Sequence, residues 1–218
     1  MNFTTTTMSA PRISVSDAAA SDEKRDREEK AARAAGWRRA DLRWERLQED
    51  AEAAWRSGDA DQAIRLWRRA RRLAFWRFLR SDPRYATSLA NAALAARLSG
   101  QEAPARRLYA RARRLWSGAD SFIAGMRIAR RARSSLFHLR MEAKHWDTYQ
   151  QSTRTRMGAF AREAAEALAA LERGEPPVCR LHDRWRAEKL PVFDDPRKFL
   201  AAALMISTGL KTKSENKD

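Results

Sequence analysis

The sequence predicts an all-α protein made of stacked helical hairpins with a C-terminal helical appendix. Three observations lead there. Apolar residues recur at helical spacing along most of the chain, and no stretch alternates in the manner of a strand. Glycine-containing breaks at Ser57-Gly58-Asp59, Ser99-Gly100 and Ser117-Gly118 cut that pattern into pieces of helix length. The pattern also repeats, since Gly58, Ala63, Trp67 and Ala70 are followed 42 residues later by Gly100, Ala105, Tyr109 and Ala112.

The elements follow in order. Residues 1–20 are rich in Thr, Ser and Ala without periodicity and are expected to be a disordered tail. Residues 21–36 read as a charged helical arm. Ser21 suits an N-cap, and Glu23–Arg27, Asp26–Lys30 and Glu29–Arg33 are i,i+4 pairs on a segment with almost no apolar face. From Trp37 an amphipathic helix runs through Trp44, Leu47, Ala51 and Trp55 to the break at Gly58. A second helix carries Ala63, Ile64, Trp67, Ala70, Leu73 and Ala74, continues to Leu79 and ends before Asp82-Pro83. A third holds Leu89, Ala92, Ala93 and Ala96, and a fourth holds Ala105, Leu108, Tyr109, Ala112, Leu115 and Trp116. Residues 119–140 have the spacing of a further amphipathic helix, and 141–173 that of a long helix or a broken pair. Gly174-Glu175-Pro176-Pro177 is a linker. Beyond it, Leu181 to Lys189 suits a short helix, and Asp195-Pro196 suits the cap and first turn of a last one reaching toward Gly209.

The repeated residues have a common physical logic. A glycine closes the first helix in a left-handed turn. The alanine five positions on lets the second helix approach closely, the aromatic four further fills the gap between hairpins, and the next alanine leaves room for the following unit. In these positions Gly58 to Ala74 (GDADQAIRLWRRARRLA), with Ala51 before it, resembles a tetratricopeptide repeat. The next unit matches at Ala93, Gly100, Ala105, Tyr109 and Ala112, so the resemblance covers residues 41–118. The family period is about 34 residues. The longer period here comes from the stretch FWRFLRSDPR (Phe75 to Arg84), which displaces the family proline to Pro83. The resemblance implies a repeat domain over 37–173, with a linker, C-terminal helices and a polar tail over 174–218. It also implies a protein–protein interaction module whose first helices face a groove for a peptide or helix, with Trp55 as a binding aromatic there.

Charge sharpens the expectation. The chain of 218 residues carries a net +16, with Lys+Arg 44 and Asp+Glu 28. Between Arg65 and Arg140 stand 19 Arg, no Lys and only the acids Asp82, Glu102 and Asp120, so this segment accounts for the whole net charge. Such a field attracts acidic protein surfaces, nucleic acid or anionic lipid, and the competing reading is a solvated arginine face with no ligand. Arg127, Arg130 and Arg131 share a helical face by spacing and are the expected anion-recognising cluster, with Arg133 pointing elsewhere.

Composition excludes several classes. With 44% hydrophobic residues, 8 Trp and 8 Phe, the chain can bury a core. One Cys rules out a disulfide scaffold and a zinc ribbon. The most apolar run, Phe199 to Ile206, is far too short to span a bilayer, and a cytoplasmic protein is the expectation. His138, Glu142 and His145 share a helical face, but a carboxylate-bundle metal site needs a second Glu-x-x-His that the chain lacks, so no metal or other cofactor is expected. Cys179 beside Arg180 and His182 has no placed base or oxyanion site, and Asp194-Asp195 is explained by a helix cap. Phosphate loops, dinucleotide fingerprints and hydrolase elbows are absent from the sequence, which argues against an enzyme and a small-molecule substrate. The expected partner is an acidic protein or peptide, and nucleic acid is the rival.

Overall fold

The computed structural model describes residues 26–129, 145–177 and 193–209, and all the regular structure among them is helical. The chain divides into two compact units, Met1–Trp37 and Arg38–Asp218. In the first, residues 26–34 are helical, Glu29 pairs with Arg33 one turn on, and Gly36 ends the helix at φ 87°. The tail at 1–20 and the Ser21 cap lie outside the described residues.

In the second unit the described residues form seven helices: α1 (Arg39–Arg56), α2 (Ala60–Arg77), α3 (Pro83–Leu98), α4 (Glu102–Ser117), α5 (Asp120–Ala124), α6 (Trp146–Arg173) and α7 (Asp195–Leu204). Carboxylates start three of them. Asp59 accepts from the Gln62 amide at 2.9 Å, Asp82 from the Arg84 amide at 2.9 Å, and Asp194 from the Arg197 amide at 3.1 Å. Two turns are built alike. Gly58 at φ 88° lets the Asp59 amide donate back to Ala54 O at 2.9 Å, and Gly100 at φ 74° lets Gln101 donate to Ala96 O at 2.9 Å. These bonds satisfy the last carbonyls of α1 and α3 and fold α2 and α4 back on them.

Packing runs along the chain: α1 on α2, α2 on α3, α3 on α4, α4 on α6. Helix α7 lies on both α3 and α6, and α5 lies on α6. Helix α3 is the centre. Every residue from Pro83 to Ala95 is buried. Its run of Ala, Ser, Thr and Asn keeps it thin enough for neighbours on all sides. Its polar groups are satisfied across helices. Trp44 Nε1 donates to Ser88 Oγ at 2.7 Å, and Thr87 Oγ1 donates to Ala202 O at 2.7 Å. Asn91 Nδ2 donates to Gln48 Oε1 and Met205 O, both at 2.8 Å, and its Oδ1 accepts from the Ser207 amide at 2.9 Å.

Three boundaries differ from the sequence expectation, and α6 takes the first of its two expected forms. Helix α2 stops at Arg77, not Leu79, because Phe78 is extended and turns its ring edge-on to Trp44 at 6.3 Å. Of the helix expected over 119–140, the described part is helical only from Asp120 to Ala124, with Gly125 as C-cap, and 130–140 lie outside the described residues. Met126 and Ile128 are then buried while Arg127 is exposed, which is the alternation of extended chain. Helix α6 is one unbroken element, and its expected stripe of Met157, Phe160, Ala164, Ala167, Leu168 and Leu171 is buried. The last helix is capped by Asp194, one residue earlier than expected.

Candidate functional site

The eight repeated positions occupy matching places. Ala63, Ala70, Ala105 and Ala112 are fully buried, as are the Trp67 and Tyr109 rings, and Gly58 and Gly100 make the two left-handed turns. Burial pushes the Tyr109 hydroxyl up to about 12, against the pull of the Arg97 guanidinium.

The expected binding residues fare differently. Trp55 is 7% exposed and packs against Trp67 at 6.1 Å, inside the α1–α2 hairpin. It is a core residue as placed, because its position on α1 turns toward the second helix and away from any open face. Arg127 is not helical. Its amide donates to Asp195 Oδ2 at 2.9 Å, its carbonyl accepts from the Asp195 amide at 3.3 Å, and its side chain, though exposed, approaches the same carboxylate at 3.5 Å. It thus ties the 126–129 segment to the start of α7. Arg130 and Arg131 lie outside the described residues, as do Arg133, His138, Glu142, Cys179 and His182. His145 immediately precedes α6. Among the described residues no three His, Cys, Asp or Glu side chains gather into a metal site, and no helix is long and apolar enough to cross a membrane. The aspartate pair is divided. Asp194 caps α7, and burial raises its pKa against the hydrogen bonds from the Arg197 and Ala129 amides, while Asp195 meets Arg127 and Lys198.

One arginine of the central field is structural. Arg84 is buried between Asp41 and Asp82 and forks onto Asp82 at 3.0 and 2.6 Å. Its guanidinium lies 3.8 Å over the Phe78 ring. Burial works against its charge, but the two carboxylates outweigh it and raise its pKa further. On the same side of α1, burial raises Glu45 to about 7, opposed by Arg197 of α7 and reinforced by Glu49.

The face of α3 that packs away from α4 is not open. Helix α7 and residues 205–207 lie on it through Thr87 and Asn91. An open feature lies on the first hairpin. Arg69, Arg72, Leu73, Trp76 and Arg77 fall at i, i+3, i+4, i+7 and i+8 on one face of α2, and Arg43 and Leu47 answer them from α1. Together they line a cleft of about 430 Å³. Trp76 is 79% exposed at its edge, beside Phe75 at 5.1 Å. Among the described residues none of these four guanidiniums meets a carboxylate, whereas on the second hairpin Arg97 and Arg106 pair with Glu102 and Arg113 with Glu172. The signal was present in the sequence as the i+3, i+4, i+7 spacing from Arg69. It was obscured by the many other arginines and by the contribution of Arg43 from another helix.

Compared with protein families, with characterised proteins and with solved structures, the chain matches none.

Proposed function

We propose that this chain is a non-enzymatic binding module of the tetratricopeptide-like helical-repeat type, an adaptor or assembly factor whose basic face takes an acidic protein partner. The observation that carries this reading is charge left unneutralised: Arg43, Arg69, Arg72 and Arg77 converge on one cleft without a carboxylate among the described residues. Arginines held together in that way repel one another, and an incoming anion relieves the repulsion while gaining forked hydrogen bonds. The scaffold supports the reading. Helices α1 to α4 pack in chain order, and the same glycine, alanine and aromatic positions are buried or turn alike in both hairpins. The partner's place is this cleft rather than a groove over the first helices, where the chain's own C-terminal segment lies against α3.

Nucleic acid is the second reading, favoured by Trp76 standing on the same surface as the arginines, where a base could stack. Affinity capture with the full chain, with and without nuclease, separates the two. Specific partners that survive nuclease and are released as salt rises support the adaptor. Partners lost on nuclease treatment support nucleic acid, and capture of neither sinks both.

A further inference from the structure

The cleft has a second character besides charge. Its walls include Leu47 and Leu73, and its edge continues into the exposed Trp76, with Phe75 and the 77% exposed Leu79 within three residues along the chain. Large apolar side chains left in water beside guanidiniums that meet no carboxylate among the described residues mark a surface that is covered in use. The two characters call for different groups on the ligand. Carboxylates or phosphates answer Arg43, Arg69, Arg72 and Arg77. An aliphatic or aromatic side chain answers Leu47, Leu73 and Trp76. A nucleic-acid strand supplies the anions and a flat base for Trp76, but it offers little to leucines, which present no face for stacking. An acidic polypeptide segment supplies both.

We infer that the cleft between α1 and α2 is a docking site for an acidic protein segment that carries one large apolar residue flanked by carboxylates. The inference rests on the reading of the chain as a binding module and names the partner's chemistry at that same site. The apolar residue enters between Leu47, Leu73 and Trp76, and its neighbours' carboxylates take the guanidiniums at the rim. Trp76 then loses its exposure, and the arginines gain the counter-charges that the described residues do not provide.

The test uses the full chain and three labelled probes followed by fluorescence anisotropy: an acidic Asp/Glu peptide with one central Trp, the same peptide with Ser at that position, and a dT15 oligonucleotide. The Trp peptide is expected to bind tightest. Arg43→Glu with Arg72→Glu should weaken it about tenfold or more, the scale of losing charged hydrogen bonds. Trp76→Ala should bring its affinity down to that of the Ser peptide. All three changed side chains are exposed, so the helical circular-dichroism signal should persist. The inference is overturned if dT15 binds more tightly than both peptides, if the two peptides bind equally, or if the cleft variants bind as the wild type does. Failure of the wider reading looks different, since it is capture of no macromolecular partner at all, whereas a partner captured equally by wild type and cleft variants removes the cleft and leaves the binding module standing.

Discussion

The two hairpins α1–α2 and α3–α4 start from one sequence pattern and end in different roles. Both have the left-handed glycine turn, the buried alanines and the buried aromatic of the second helix. Yet α3 is covered on every side, by α2, α4 and α7, and Arg97, Arg106 and Arg113 meet Glu102 or Glu172, while Arg107, Arg111 and Arg114 meet no carboxylate among the described residues. Among the described residues, the first hairpin leaves one face of α2 uncovered, with guanidiniums that meet no carboxylate and an exposed Trp76. The repeated positions therefore set how helices touch, and the residues between them set what each hairpin offers to solvent. The second hairpin supplies the buried centre, and the first leaves a basic, partly apolar face exposed.

The strongest way to break this contrast is to disconnect the hairpins. Arg84 at the start of α3 is held by Asp41 of α1 and by its own cap Asp82, all buried. Removing one partner of such a cluster strands the other charges. Arg84→Met is expected to cost about 3–5 kcal/mol. Urea unfolding measures it, and adding Asp41→Asn and Asp82→Asn should recover much of the loss. A cost near that of an ordinary surface substitution would show that the triad is not what joins α3 to the first hairpin.

The claim that the two turns and their alanines are equivalent is sharpened by matched variants. Ala63→Leu and Ala105→Leu each insert bulk where no space exists, since both residues are fully buried. Each should lose about 1–3 kcal/mol, and the two losses should agree within about 1 kcal/mol. A large loss at one site and none at the other would mean that the shared sequence does not do shared work.

These alanines, with Gly58 and Gly100, were legible in the sequence because their effect is local: a positive φ or a small side chain at a fixed offset. The run from Tyr85 to Ala95 carried a further signal, although the sequence expectation for this helix rests only on the helical spacing of Leu89, Ala92, Ala93 and Ala96. A helix of Ala, Ser, Thr and Leu with no charged face must be covered all round. What covers it was not legible, because Asn91 meets Met205 and Ser207 more than a hundred residues away. Arg127 misled for a related reason. Its spacing to Arg130 and Arg131 fits a helix, but Gly125 ends α5 and Asp195 holds Arg127 in extended chain. Trp55 misled because a tryptophan on a first helix can face the groove or the partner helix, and only the pairing with Trp67 decides.

A smaller effect probes the buried carboxyl of Glu45 on α1, which feels the charge of Arg197 on α7. Burial raises the Glu45 pKa from 4.5 to about 7, with Arg197 of α7 pulling the other way. Between those two values the folded chain keeps a proton that the unfolded chain has released. Stability therefore falls as pH rises from about 4.5 to about 7 and stays reduced above it. Glu45→Gln should leave the melting temperature at about pH 4 unchanged and raise it at about pH 8 by roughly 2–4 °C. A gain at low pH, or a loss at high pH, would mean that Glu45 is held as a carboxylate by Arg197 and is not forced toward neutrality by burial.

The smallest expected effect is the most pointed. Trp67 and Trp76 lie on the same helix, one fully buried and one 79% exposed. Trp67→Ala should cost about 3–5 kcal/mol, the usual toll of emptying a core of a large ring. Trp76→Ala should change stability by no more than about 0.5 kcal/mol, because the ring shelters little and leaves no cavity behind. It touches Phe75 edge-on, which is itself half in solvent, so even that contact is worth little to the fold. Under the proposed docking reading, Trp76 serves the cleft and not the fold. If Trp76→Ala instead lowers the melting temperature as Trp67→Ala does, the ring belongs to the core of the first hairpin, and the division of labour between the two hairpins fails at its central residue.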